Sequence, residues 1–145
     1  FLYHGPRNPI LDQYNPSETA DILNKLNKPI IAVRGNCDAE VDQMLLDFPM
    51  MSDSQYYQLI DCNIFITHGH LYDPNEDIKS RHCNLYISGH THIPILEKTQ
   101  NGILFNPGSI SLPKENHTPS YGLIRDGKIE LIDLESHHPI HSIEL

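Results

Sequence analysis

Three short apolar runs in this chain each end in a polar, glycine-containing turn. That repeated ending limits the architecture more than any other feature. IIAV at 30–33 leads through Arg34 into Gly35-Asn36-Cys37-Asp38. IFIT at 64–67 leads into His68-Gly69-His70, and LYIS at 85–88 into Gly89-His90-Thr91-His92. Short runs rich in β-branched and aromatic residues read as strands buried on both faces. In α/β sheets, ligands collect beyond the carboxyl ends of such strands. If the three runs are neighbours in one sheet, Asn36, His68, His70, His90 and His92 come together at one end of it.

The rest of the chain supplies helices early and hairpins late. Ser17 caps a helix over 17–28 that sets Ile22, Leu23 and Leu26 on one face and stops at Pro29. Asp38 caps a second helix over 39–48, ended by Pro49. Strands are expected over 55–60 and 63–67, and a short helix over 74–81. Hairpins are expected around Asn101-Gly102 and Asp126-Gly127, and a last strand near 140–145. The expected fold class is α/β: a sandwich with mixed sheets inside and helices outside, forming one domain over 1–145.

Charge and cysteine usage narrow the function classes. Lys and Arg number 10 against 19 Asp and Glu, a net charge of −9 with histidines neutral, so long nucleic acid is not an expected partner. Cys37, Cys62 and Cys83 are odd in number and irregularly spaced, which is no disulfide framework. They point to a reducing cytoplasm. No apolar window is long enough to span a membrane, and no signal peptide is visible.

Four of the ten histidines fall in two strand-end motifs, and histidine is the commonest side-chain metal ligand. In a strand-like extension His90 and His92 point to the same side, by the period of two. Imidazole, amide oxygen and carboxylate suit manganese, iron, zinc or nickel better than calcium. Against this stand plainer readings. Gly-Asn after a strand is a common turn, and Asp38 reads as a helix cap. Asn106 to Ser111 (NPGSIS) is either a tight turn or a pocket lining, and His137, His138 and His141 form a solvated tail.

The blocks Gly35-Asn36-Cys37-Asp38, Thr67-His68-Gly69-His70 and Gly89-His90-Thr91-His92 occur in an order that resembles the calcineurin-like metallophosphoesterase superfamily. HGPRN, AVRGNCDAEVDQMLL, FITHGHLY, SGHTHIP and FNPGSISLPK are similar to the small bacterial phosphodiesterases of the YfcE type, along nearly the whole chain. The resemblance implies an αββα sandwich and a two-metal centre, with manganese foremost and nickel, cobalt, zinc or iron as alternatives. Asn36, His68 and His90 would hold the second metal, acting in catalysis through it, and His92 would help hold the first. The family's Asp-x-His and Gly-Asp motifs have no counterpart here. The chain therefore reads as a family member incomplete at its N-terminus, with at most a partial metal site.

The implied activity is metal-dependent phosphodiester hydrolysis through a metal-activated hydroxide, on a small phosphodiester and with no membrane. A homo-oligomer is left open. His4 and Arg7 would contact the phosphate, with a solvated surface arginine as the equal alternative for Arg7. His70 either supports a metal ligand from behind or contacts a phosphoryl oxygen. Cys37 stands where many phosphomonoesterases of the superfamily have a histidine that protonates the leaving group. Either it shifts preference towards diesters with good leaving groups, or it simply fills a small niche. The competing function is an inactive scaffold resembling the retromer subunit Vps29, which carries an aspartate where Asn36 stands here. A simple metal-binding fragment is a third reading.

Overall fold

The structure, a computed structural model, describes residues 2–6, 8–59 and 61–145. It falls into two compact units, 1–54 and 55–145.

The first unit holds helices α1 (Pro16–Asn24) and α2 (Glu40–Leu45). Asn15, not Ser17, caps α1: its side-chain oxygen accepts the Glu18 amide at 3.1 Å, and Pro16 takes the first helical position, where its missing N–H is not needed. The helix ends at Asn24, so Leu26 lies beyond it, and both Ile22 and Leu26 are exposed. Leu23 packs instead against the core of Leu2, Ala20, Ala32, Leu46 and Met50. The Asn24 side chain ties the helix end to α2, donating to Leu45 O at 2.8 Å and accepting from Asp47 N at 3.0 Å.

Two further expectations fail in this unit. Residues 30–33 form no strand; beside them Arg34 N donates to Ser52 O at 2.8 Å, but no ladder develops. An apolar β-branched run needs a paired neighbour to become a strand. Asp38 does not cap α2 either. Ala39 is the N-cap, and its amide is received by the Asp42 carboxylate at 2.9 Å.

The second unit is built on two sheets. A five-stranded sheet runs in the order β1-β2-β3-β5-β4, with β1 at Ser54–Gln58, β2 at Asn63–Thr67, β3 at Leu85–Ile87, β4 at Ile95–Thr99 and β5 at Gly102–Asn106. A three-stranded sheet runs β6-β7-β8, with β6 at Ser120–Arg125, β7 at Lys128–Asp133 and β8 at Pro139–Glu144. β2, β3 and β5 are parallel and adjacent, Ile64 pairing with Leu85 and Leu85 with Ile103. Their shared direction puts the loops after β2 and β3 at one end of the sheet.

The two sheets close on Ile64, Leu85, Leu96, Ile103 and Phe105 from one side and Ile129 and Leu131 from the other. The opposite face of the larger sheet buries Phe65 and Tyr86 under helix α3 (Pro74–Ser80), through Ile78. Asp73 caps α3, accepting the Asn75 and Glu76 amides. Arg81 follows it, paired with Asp77 Oδ1 at 2.7 Å and lying 4.3 Å over the Phe65 ring and 4.9 Å over Tyr72. An arginine on two aromatic faces adds cation–π attraction to its ion pair.

Both hairpins form. In β6–β7, Asp126 and Gly127 take φ 50° and 73°, the left-handed pair that a two-residue type I′ turn requires. In β4–β5, Thr99 pairs with Gly102, so the loop is Gln100-Asn101, one residue earlier than the Asn-Gly pattern suggests. A side chain on Gly102, at φ 144°, would meet Asn84 O at 2.7 Å. Glycine is thus required in the strand rather than in the turn.

Candidate metal and phosphate site

In the second unit the site grows from the ends of β2 and β3. Thr67 closes β2, and the chain then turns through Gly69 at φ 100°. A Cβ there would stand 3.3 Å from that of Ser88, so glycine lets the two loops approach. Gly89 N–H donates to His68 O at 3.0 Å and joins them directly.

This brings three imidazoles together. His68 Nε2 and His90 Nδ1 are 3.3 Å apart, with ring centroids at 5.2 Å. His70 lies 5.3 Å from the His68 ring and 6.1 Å from that of His90. All three are half-buried. His70 Nδ1 is buried with no hydrogen-bond partner among the described residues, a costly state for a polar atom unless something else occupies it.

The 3.3 Å separation can be tested against a metal. Imidazole nitrogens bind zinc-like ions at about 2.0–2.1 Å, so two ligands on one ion stand about 3.0 Å apart at octahedral angles and about 3.4 Å at tetrahedral ones. The observed spacing falls between. The pair fits a shared cation as well as it fits a direct N–H···N contact. Among the described residues no group of three or more His, Cys, Asp or Glu side chains is placed to hold an ion. Among the described residues the two histidines alone do not complete a ligand set.

His92 behaves differently from the period-two expectation. His90 and His92 both take left-handed backbone, φ 66° and 63°. Gly89–His92 is thus a bend, not an extension, and alternation does not apply. His92 Nδ1 lies 2.7 Å from Leu112 O, so its Nδ1 carries the hydrogen and its Nε2 is the atom left for a ligand. Two left-handed non-glycine residues in one turn cost about 1–3 kcal/mol each, and such positions cluster at functional sites.

The other candidates lie in the first unit. Asn36 is exposed and its Nδ2 donates to Cys37 Sγ at 3.5 Å. Asp38 Oδ2 receives the Gly35 amide at 2.6 Å, which closes the Gly35–Asp38 turn on itself. Cys37 packs under Gly5: a Cβ on Gly5, at φ 77°, would stand 2.8 Å from its Sγ. The thiol sits in a niche that only glycine leaves open. His4 sits between the rings of Tyr3 and Tyr14, at 4.8 and 5.2 Å. Its Nδ1 is buried and has no partner among the described residues. Arg7 lies outside the described residues.

The sequence marked Asn106 to Ser111 as a tight turn or a pocket lining but gave the Asn106 side chain no role. Asn106, buried at the end of β5, reaches the His90 turn with its side-chain amide. A polar residue closing an apolar strand just before Pro-Gly was the available signal. Elsewhere, Cys62 and Cys83 are free and buried, and burial pushes both thiols up. His137 and His138 are exposed, and His141 is an exposed residue of β8. No helix among the described residues is long and apolar enough to cross a membrane.

Comparison with known proteins bears on this geometry. The family model described as the calcineurin-like phosphoesterase superfamily domain matches residues 12–126. Phosphodiesterase YfcE of Escherichia coli K12 is 40% identical over 144 residues, covering 99% of this chain and 78% of that protein. The solved structure of the E. coli YfcE phosphoesterase superposes with a TM-score of 0.89 at 38% identity, covering 99% of this chain and 79% of that one. Zinc-bound Vps29 of Entamoeba histolytica superposes at 0.62 with 20% identity, over 88% of this chain and 75% of that one, a likeness of fold alone.

Proposed function

The chain belongs to the calcineurin-like phosphoesterase superfamily, and on that footing we propose that it is a metal-dependent phosphodiesterase acting on a small phosphodiester. The observation that carries the reading is the His68–His90 pair, nitrogens 3.3 Å apart beyond the ends of two adjacent parallel strands. A 40% identical relative named a phosphodiesterase supports the substrate class.

In this reading His68 and His90 hold one divalent ion, Asn36 joins them on the strength of its Gly-Asn-Cys-Asp motif, and His92 offers Nε2 to a second. Manganese is the first choice, ahead of nickel, cobalt, zinc and iron. Such ions supply Lewis-acid polarisation of the phosphoryl group and a water of lowered pKa. The chain's own groups bind and orient. His70, whose Nδ1 has no partner among the described residues, contacts a phosphoryl oxygen of the substrate, and His4 and Arg7 are candidates for the same task. Cys37, seated under Gly5, supplies no imidazole to protonate a leaving group. Esters whose alcohol leaves unaided are therefore preferred. Residues 1–145 are read as one metallophosphoesterase domain, supported by similarity along 99% of the chain. Cytoplasmic residence is part of the same proposal.

The test is hydrolysis of bis-p-nitrophenyl phosphate by metal-stripped protein given manganese, nickel, cobalt or zinc in turn, with p-nitrophenyl phosphate alongside. Metal-restored cleavage of the diester, faster than of the monoester, is expected. An intact diester across all four metals would defeat the enzyme reading and leave the scaffold.

A further inference from the structure

We propose that Asn106 is a positioning residue that fixes His90 in its ligand orientation, an inference resting on the reading of His90 as a metal ligand. Asn106 is 2% exposed and closes β5. Ile87 pairs with Phe105, and Ser88 N donates to Phe105 O at 2.9 Å, so Asn106 stands level with the start of the His90 turn. Its Nδ2 donates to Gly89 O at 2.7 Å and to Thr91 Oγ1 at 3.1 Å, while its Oδ1 accepts Gly108 N at 3.0 Å. Turning the amide over would set oxygen against the Gly89 carbonyl and NH₂ against the Gly108 amide. The partners therefore dictate the orientation.

Gly89 and Thr91 are the two residues flanking His90. Both hydrogens of one buried amide thus hold the backbone before His90 and the side chain after it. His90 itself is left-handed, at φ 66°, a conformation that surrounding bonds must impose. That backbone sets the Cα–Cβ direction from which the His90 ring makes its 3.3 Å approach to His68.

The full chain is tested with Asn106→Asp, which keeps the size and the Gly108 acceptor but loses both donors. Thr91→Val is the second variant, an isosteric loss of the hydroxyl, and Thr91→Ser is its conservative rescue. Hydrogen exchange in metal-free protein is read first. The Gly89 and Thr91 amides should exchange about tenfold faster in Asn106→Asp, while β3 and β5 amides hardly change. Manganese affinity, read by electron paramagnetic resonance, should weaken about 10- to 100-fold, as expected for loss of a group supporting a ligand. Thr91→Val should show a smaller loss and Thr91→Ser nearly none. If Asn106→Asp does not fold, the Thr91 pair decides by the same two readouts.

Unchanged exchange at Gly89 and Thr91, or a rise shared equally by β3 and β5, would overturn the positioning role. So would unaltered manganese affinity in a protein whose binding is weakened by His90→Ala. If the wild-type chain binds no manganese, the metal reading fails, and the exchange experiment still decides whether Asn106 fixes the turn.

Discussion

Replacing Gly122 by alanine probes the packing behind the site. Gly122 lies in β6 opposite Leu131, and a Cβ built on it would fall 2.4 Å from Cζ and 2.5 Å from Cε1 of Phe105. Carbon atoms pack best at about 3.5–4.0 Å, so the ring would have to retreat by about 1 Å or more. Phe105 is 3% exposed and sits in the core with Leu96, Ile129 and Leu131. Interiors of this kind have little slack. Overpacking by one methyl costs about 1–3 kcal/mol, and alanine's smaller unfolded-state freedom returns about 0.5–1 kcal/mol. The net expectation is a loss of about 1–2 kcal/mol, read from urea unfolding followed by circular dichroism. Phe105→Leu should cost less in the Gly122→Ala background than in the wild type, giving a coupling of about 0.5 kcal/mol or more in a double-mutant cycle. Wild-type stability in Gly122→Ala, or strict additivity in the cycle, would refute the steric argument.

Tyr86 is fully buried and its hydroxyl has no partner among the described residues; burial pushes its ionisation far up. Tyr86→Phe should therefore leave stability unchanged or raise it by up to about 1 kcal/mol, whereas a clear loss in thermal unfolding would reveal a bonded hydroxyl. The Asp133 carboxylate receives the Ser136 amide, the Thr118 and Ser136 hydroxyls and the Glu135 amide, which together lower its pKa to about 2 from 3.8. A depressed folded value means that its stabilising contribution is complete above about pH 4 and is lost as pH falls through about 2. Carboxyl titration by nuclear magnetic resonance should find that low midpoint; an ordinary midpoint near 3.8 would contradict the bonding pattern.

Much of the second unit was legible because its strands carry their own punctuation. Asn63–Thr67 was bounded by Cys62 and the His-Gly-His turn, and Asp126-Gly127 supplied both left-handed residues that its turn needs. The run at 30–33 has equally good strand composition and forms none, since pairing depends on a neighbour that local pattern does not reveal. The site was legible as a list of histidines but not as a geometry. Period-two reasoning assumed extended backbone at Gly89–His92, while both histidines are left-handed and His92 turns to Leu112 O. Such conformations are imposed by distant bonds, among them those of Asn106, seventeen residues from Gly89. The pattern around Gly89–His92 itself does not carry that information.

The most direct test of the account is a manganese titration of the metal-stripped chain by electron paramagnetic resonance, repeated on His68→Ala and His90→Ala. If these two imidazoles share an ion, the wild-type chain binds manganese, and each substitution weakens that binding by about 10-fold or more while the far-ultraviolet circular dichroism stays unchanged. Binding of equal strength in all three proteins, or none in the wild type, would show that the His68–His90 contact is only a hydrogen bond.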